Sequence, residues 1–263
     1  MDSIQKLLKS TDQHRIVLIV GKELSFDSTL LDSLFAHQLT ADSFSPTNSN
    51  STSFLRDCAF IHTERKKMAT PSPLAARLVE LGDVILHVFT SIVGETSGSL
   101  GLEEGQLTLI NGSTNTMVVH NHRHIWRPIE STDEVAMFRG DLTKLQYTEL
   151  YTTNHGRQIS VRSHWVPDVL VPGVDASDFY CRRGIGDAIS RVLQAKPTML
   201  ITLGTISHDT PFRPHLRRLV NEVKENKGAT IHVSQSPRPS NLYDHIISCM
   251  HWETFMDMFA KFI

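Results

Sequence analysis

His120, His122 and His124 alternate within the segment Met117 to Trp126. If that segment is a single strand, alternation puts three imidazoles on one face at ~6–7 Å intervals. Such a row can hold zinc or another transition metal. The chain has 14 histidines, so an H-x-H-x-H run arises readily by chance. The preferred reading is a polar strand face with no metal.

A second candidate lies near the start. Ile16-Val17-Leu18-Ile19-Val20 is a continuous apolar run, followed by Gly21-Lys22-Glu23-Leu24-Ser25. A buried parallel strand, a tight turn and an entering helix have this pattern. In nucleotide-binding α/β domains the phosphates sit at that turn, where backbone N–H groups face the ligand. Here the turn holds one glycine where two are usual, and it carries a carboxylate. Glu23 has no partner carboxylate for acid–base work, so it reads as a cap or a tolerated change. Ser25 lies outside any G-x-S-x-G context, so no serine nucleophile is indicated.

The remaining chemistry is sparse. Cys58, Cys181 and Cys249 are the only cysteines and no C-x-x-C pair occurs, which argues against a disulfide framework and a cysteine zinc site. The basic clusters Arg65-Lys66-Lys67, Arg182-Arg183 and Arg217-Arg218 read as solvated helix faces. With a net charge of −2 there is no global field for nucleic acid or anionic membrane, and direct nucleic-acid binding is not expected. No apolar run approaches the ~20 residues of a membrane span. Met1 to Ser10 reads as a short helix and not a signal peptide, giving a soluble protein of nucleus or cytoplasm.

These residues need elements to position them. Strands are expected at Ile16–Val20, Val84–Thr90, Met117–Trp126, Val166–Val171, Thr198–Leu203 and Thr230–Val233. Helices are expected around Ile4–Leu8, Leu30–Phe35, Phe54–Lys67, Pro73–Leu81 with Gly82 at its end, Ile185–Leu193, Leu216–Val223 and Met250–Phe262. Their alternation implies an α/β fold: a mostly parallel, Rossmann-like sheet with helices on both faces. A single domain of 263 residues is expected, its large lobe from about 1–39, 76–119 and 164–263. A smaller lobe would come from insertions at about 40–75 and 120–163, with 40–53 a loop and 127–163 irregular. Trp252, Phe255, Met256, Phe259 and Phe262 crowd the last helix. They suit docking on the sheet, with any remainder offered to a protein partner.

In order and spacing these elements resemble the sirtuin family of NAD-dependent protein deacylases, its fungal nuclear branch above all. Val84 to Leu102 is similar to the family's L-R-V-Y-T-Q-N-I-D-x-L-E-x-x-x-G-L. Pro167 to Gly173 is similar to R-P-D-I-V-L-Y-G-E, and Pro197 to Thr205 to the strand before G-T-S-L. Thr70-Pro71-Ser72-Pro73 falls where the family has A-x-P-T. The resemblance implies a two-lobed NAD-binding fold. It also implies a pocket from Gly21, Ser25, Thr90, Gly204, Thr205 and Ser207, here vestigial.

The chemistry departs from the pattern. The second glycine of G-A-G-x-S is Glu23. The Asn and Asp of T-Q-N-I-D, which hold the nicotinamide ribose and carboxamide, are Ile92 and Gly94. Ile206 replaces the serine of G-T-S, and Ser234 stands where V-N is expected. The family's general base is a His followed by Gly just after a short strand. His120-Asn121 or His122-Arg123 falls nearest, while His155-Gly156 has the dipeptide but comes too late. The interval 124–166 has no cysteine, so no structural zinc is expected. The expectation is a catalytically inactive protein: an interaction scaffold or adaptor in a nuclear chromatin-silencing complex, with no cofactor. The alternative is a sensor of NAD or ADP-ribose, or a divergent NAD-consuming enzyme, using the residual pocket.

Overall fold

The computed structural model describes residues 15–21, 24, 36, 48–67, 73–93, 96–120, 122–152, 155–170, 179, 183–204, 212–237, 240–249, 251, 254–255 and 257. The chain divides into two compact units. One comprises Met1–Ser28, Met68–Asn111 and Arg183–Ile263, the other Thr29–Lys67 and Gly112–Arg182.

The first unit is built on β1 (Ile16–Val20), whose five apolar residues are all fully buried. A strand that is apolar on both faces must lie at the centre of a covered parallel sheet. It pairs in parallel with β2 (Ile85–Thr90) on one side and β8 (Met199–Leu203) on the other. Beyond β2 lies the three-residue β3 (Leu107–Leu109), and beyond β8 lie β9 (Ala229–Ser234) and β10 (His245–Ser248), all parallel. The sheet order is β10-β9-β8-β1-β2-β3. Ile16, Leu18 and Val20 face Ala75, Leu78 and Leu81 of α2 (Pro73–Leu81). Val17 and Ile19 point to the opposite face. The helices α4 (Ile185–Gln194) and α5 (Arg213–Glu225) each bury one apolar stripe, Ile185, Ala188, Ile189, Val192 and Leu216, Leu219, Val220, Val223. That is the i, i+3, i+4, i+7 spacing of a one-sided helix. After α2 the chain turns at Gly82, with φ +49°. Phe255, 3% exposed, joins the core on the α2 face. The other aromatic and methionine residues of the expected last helix, Trp252, Met256, Phe259 and Phe262, lie outside the described residues. So do the expected Ile4–Leu8 and Leu30–Phe35 helices.

The second unit is antiparallel, in the order β5-β4-β7-β6. It comprises β4 (Gly112–Val119), β5 (His122–Pro128), β6 (Gln146–Thr152) and β7 (Gln158–Val169). Helices α1 (Ser49–Lys67) and α3 (Ser131–Arg139) pack together over it. Leu55 and Ala59 of α1 meet Met117, Ala136, Met137, Leu142 and Leu145, with Trp165 and Ile129 against them.

Three expectations change here. The stretch 127–163 is not irregular: it contains α3, β6 and the first half of β7. Its polarity misled because these strands are exposed, and strand propensity reflects burial and cross-strand neighbours as much as sequence. The expected strand Val166–Val171 is not separate: Val166–Val169 is the end of a 12-residue strand, and Val171 lies outside the described residues. Consequently 112–119 and 164–182, placed in the large lobe by sequence, belong to the second unit, as 68–75 belong to the first. Finally, α1 begins at Ser49, within the expected loop. Ser51 is fully buried and the Thr52 hydroxyl donates to the Gly140 carbonyl at 3.4 Å, so tertiary contact overrides weak helix propensity.

One ion pair ties β5 to α3. The Arg127 guanidinium donates to both Asp133 carboxylate oxygens, at 2.6 and 2.8 Å, and lies 4.5 Å above the Trp165 ring. Asp133, 4% exposed, also accepts from the Glu130 N–H at the helix start. Asp133→Ala should cost about 2 kcal/mol, since it removes the bidentate partner of a half-buried cation and a cap, leaving Arg127 only the exposed Glu130 and the Pro128 carbonyl. Urea unfolding of the variant beside the parent measures this.

Candidate functional site

In an open parallel sheet, ligands bind beyond the carboxyl ends of the strands where the strand order reverses. That reversal falls between β1 and β8, which continue outward in opposite directions. Gly21 ends β1 and Gly204 ends β8. Sequence reasoning named both, and the sheet brings them side by side. The Gly21 N–H donates to the Leu203 carbonyl at 2.7 Å, and the Gly204 N–H to the Val233 carbonyl at 2.7 Å. Gly204 has φ +76°, a conformation that suits glycine. The His232 ring N–H donates to the Gly204 carbonyl at 3.0 Å, and that ring stacks on Tyr243 at 5.0 Å. Tyr243 in turn donates to the Thr202 hydroxyl at 3.1 Å. Burial raises the Tyr243 phenol's pKa, partly offset by that bond.

Beyond β2 the edge is closed by internal bonds. Thr90, 1% exposed, accepts the Ile92 N–H on its hydroxyl at 3.1 Å. The Ser91 N–H and hydroxyl both donate to the Val20 carbonyl, at 2.9 and 3.1 Å. The Ser91 carbonyl accepts the Asn111 amide at 3.1 Å. Ile92 belongs to the apolar core of the unit with Val20, Leu203 and Val233, and Leu24 packs against that core. Val93 is likewise buried. The C-terminal edge is therefore a floor of apolar side chains, with the polar groups named here turned on one another. Ser234 closes β9, 4% exposed, its carbonyl accepting the Cys249 N–H. Ser25, Thr205 and Ser207, the other expected pocket residues, lie outside the described residues, as do Glu23 and Gly94.

The histidine expectations do not survive as drawn. Val119 pairs with His122 across a hairpin, so β4 ends at Val119 and β5 starts at His122. His120 falls in the turn, its N–H donating to the His164 carbonyl. The three histidines thus do not share one strand face. The alternation in sequence runs past a turn at His120, where no glycine or proline signals it. His124 is exposed, and among the described residues no three His, Cys, Asp or Glu groups converge as metal ligands. His155-Gly156 lies beyond β6 at the turn into β7, exposed, with Gly156 at φ +72°.

The residue that sequence reasoning missed is Asn111. The short strand β3 is followed, after Ile110, by an X-Gly dipeptide, Asn111-Gly112. Asn111 is 8% exposed, and Gly112 has φ +89°. Within the second unit Gly112 pairs with Val169 and Ser113 with Asp168. The alternating Leu107-Thr108-Leu109 before the dipeptide was the available signal. A search for the letters His-Gly passes over it.

Neither a protein-family model nor a curated protein sequence matches the chain. Solved structures do. One is a Sir2 in complex with the inhibitor EX-527, 2′-O-acetyl-ADP-ribose and a deacetylated p53 peptide. It is 14% identical with a TM-score of 0.62, over 99% of this chain and 98% of that one. Another, from work on the mechanism and regulation of Sir2 enzymes, is 14% identical with a TM-score of 0.61, over 99% and 95%. Sir2Tm bound to a propionylated peptide is 15% identical with a TM-score of 0.56, over 99% and 97%. Near-complete coverage in both directions at such identity speaks to architecture: the chain has the fold of the Sir2 sirtuins, a parallel Rossmann-like sheet with a smaller antiparallel unit.

Proposed function

We propose that this chain is a sirtuin-fold protein without deacylase activity that serves as a protein-interaction scaffold. The observation that carries the reading is Asn111. It occupies the place after the short strand where the family pattern has its histidine base. A carboxamide has no basic nitrogen and takes up no proton near neutrality, and here its N–H is spent on the Ser91 carbonyl. Ile92 supports the same reading. A nicotinamide ribose needs hydrogen-bonding side chains, and the position offers a buried sec-butyl group. The residues described at this edge do not fit the nicotinamide ribose. The fold also implies a structural zinc, and the second unit does not fit one. It is held by the apolar cluster around Met117 and Met137, and the interval 124–166 has no cysteine.

Incubation with NAD and an acetyl-lysine peptide, followed by mass spectrometry, should give no deacetylated product above the enzyme-free rate. NAD-dependent product would overturn the proposal. A nuclear silencing complex is the setting that the family resemblance suggests, and a tagged chain should then concentrate in the nucleus. Of the five residues considered for a C-terminal partner surface, Phe255 is committed to the core. The proposal leaves Trp252, Met256, Phe259 and Phe262.

A second reading rests on the glycines. Gly21 and Gly204 flank the point of strand reversal and would let a diphosphate approach the backbone. On that reading the chain senses ADP-ribose or NAD, and calorimetric titration at millimolar ligand gives measurable heat. On the scaffold reading it gives none.

A further inference from the structure

Among the described residues the two sheets have four edges, and three carry the devices that discourage another strand from adding. β3 has only three residues and β10 only four. β5 carries Arg123, Arg127 and Pro128, and its register breaks at Val118/Val119. β6 is longer than β3 and β10, and it carries no basic residue, proline or register break; its single charge is Glu149. It is Gln-Tyr-Thr-Glu-Leu-Tyr-Thr, seven residues rich in strand formers. It contains no proline, lysine or arginine, and its pairing with β7 is unbroken from Gln146↔His164 to Thr152↔Gln158. Leu150 on this strand is 65% exposed, and Ile159 on its hairpin partner 47%.

We propose that the outer edge of β6 receives an extended segment of another protein as an added antiparallel strand, with a lysine or arginine of that segment opposite Glu149. The charge sets the partner. Glu149 is the one ionisable carboxylate of β6 and sits at its middle, held by the Tyr147 hydroxyl at 2.7 Å. A second copy of this chain is disfavoured by the same residue. Full seven-residue antiparallel self-pairing puts Glu149 against its own copy, and like charges directly opposite destabilise a strand pair. A basic residue at that place is attracted instead, and an apolar one beside it covers Leu150. Backbone bonds along the edge would supply affinity, and these two side chains the choice of partner. The proposal deepens the scaffold reading and fails separately from it. Deacylase activity would remove that reading without touching the edge, and loss of edge binding would leave the absence of catalysis as it stands.

The probe is a pair of labelled peptides, Thr-Val-Val-Lys-Thr-Val-Thr and the same peptide with Glu for Lys, titrated against the full chain by fluorescence anisotropy. The Lys peptide should bind about threefold to tenfold more tightly than the Glu peptide, with slowed amide exchange across 146–152. Glu149→Lys should reverse the preference. Glu149 is half-exposed, so this variant should fold, and an unchanged unfolding midpoint checks that it does. Equal affinity for the two peptides, no binding of either, or a preference unaltered in Glu149→Lys overturns the proposal. So does a dimer of the chain alone, in sedimentation equilibrium, that dissociates in Leu150→Lys, because the edge would then belong to a second copy.

Discussion

Gly112→Ala should unfold the second unit under conditions where the parent is stable. Gly112 sits at φ +89°, and a Cβ built there lies 2.0 Å from the Asp168 carbonyl oxygen and 3.0 Å from the ring of Phe179. Both neighbours are fixed. Asp168 contributes backbone at the end of the β4–β7 ladder, paired with Ser113, and Phe179 is fully buried. Relief therefore means prising β4 from β7 where the two strands begin to pair. The left-handed backbone alone costs ~1–2 kcal/mol for a residue with a side chain. Adding the overlap should bring the loss above ~3 kcal/mol, the range of severe single substitutions. Gly156→Ala is the matched control within the same unit: φ is +72°, with nothing within 4 Å of the new Cβ. It should pay the backbone cost alone, ~1–2 kcal/mol at most. Urea unfolding followed by tryptophan fluorescence measures the difference, since Trp126 and Trp165 both lie in the second unit. Equal midpoints for the two variants would show that β4 and β7 give way without cost.

The second large effect is acid destabilisation through His87. This residue lies within β2, 3% exposed, its ring nitrogen 2.8 Å from the Thr108 hydroxyl and its ring 4.5 Å from that of Phe89. Burial, with the Arg191 charge adding to it, lowers its pKa from 6.5 to about 4. Above pH 6.5 the ring is neutral in folded and unfolded chains alike, and no pH dependence arises from it. Below 6.5 the unfolded chain takes up a proton that the folded chain refuses, so stability falls as pH drops. The fall ends near pH 4, where the folded ring also protonates. Across that window the loss is about 3 kcal/mol. His87→Leu, of comparable size, should flatten the stability profile between pH 6.5 and 4 by that amount. It should cost something at pH 7.5, where Thr108 loses its partner. A variant profile parallel to the parent's would assign the acid sensitivity to other groups.

The sequence by itself determined the parallel sheet. Ile16 to Val20 is apolar at every position, and only a strand covered on both faces needs that. The helices α2, α4 and α5 were legible for a related reason, since each faces the sheet on one side and solvent on the other and so carries a helical period. The glycines at the strand ends, Gly21 and Gly204, were readable because a chain leaving a buried strand for a tight turn has few alternatives.

The second unit was not legible in this way. Strand β6 and the first half of β7 are largely exposed, so alternation carries no core signal there, and what makes them strands is each other. The histidine row was a false pattern because alternation in sequence becomes alternation in space only if the chain does not turn, and it turns at His120. Tertiary structure alone decided that Asn111, unremarkable in the letters, occupies the position after the short edge strand. It alone also turned the polar groups beside Ile92 onto one another. A local pattern records which side of an element is buried; which residues meet across elements is fixed only when the elements pack, and the chemistry of this site depends on the second.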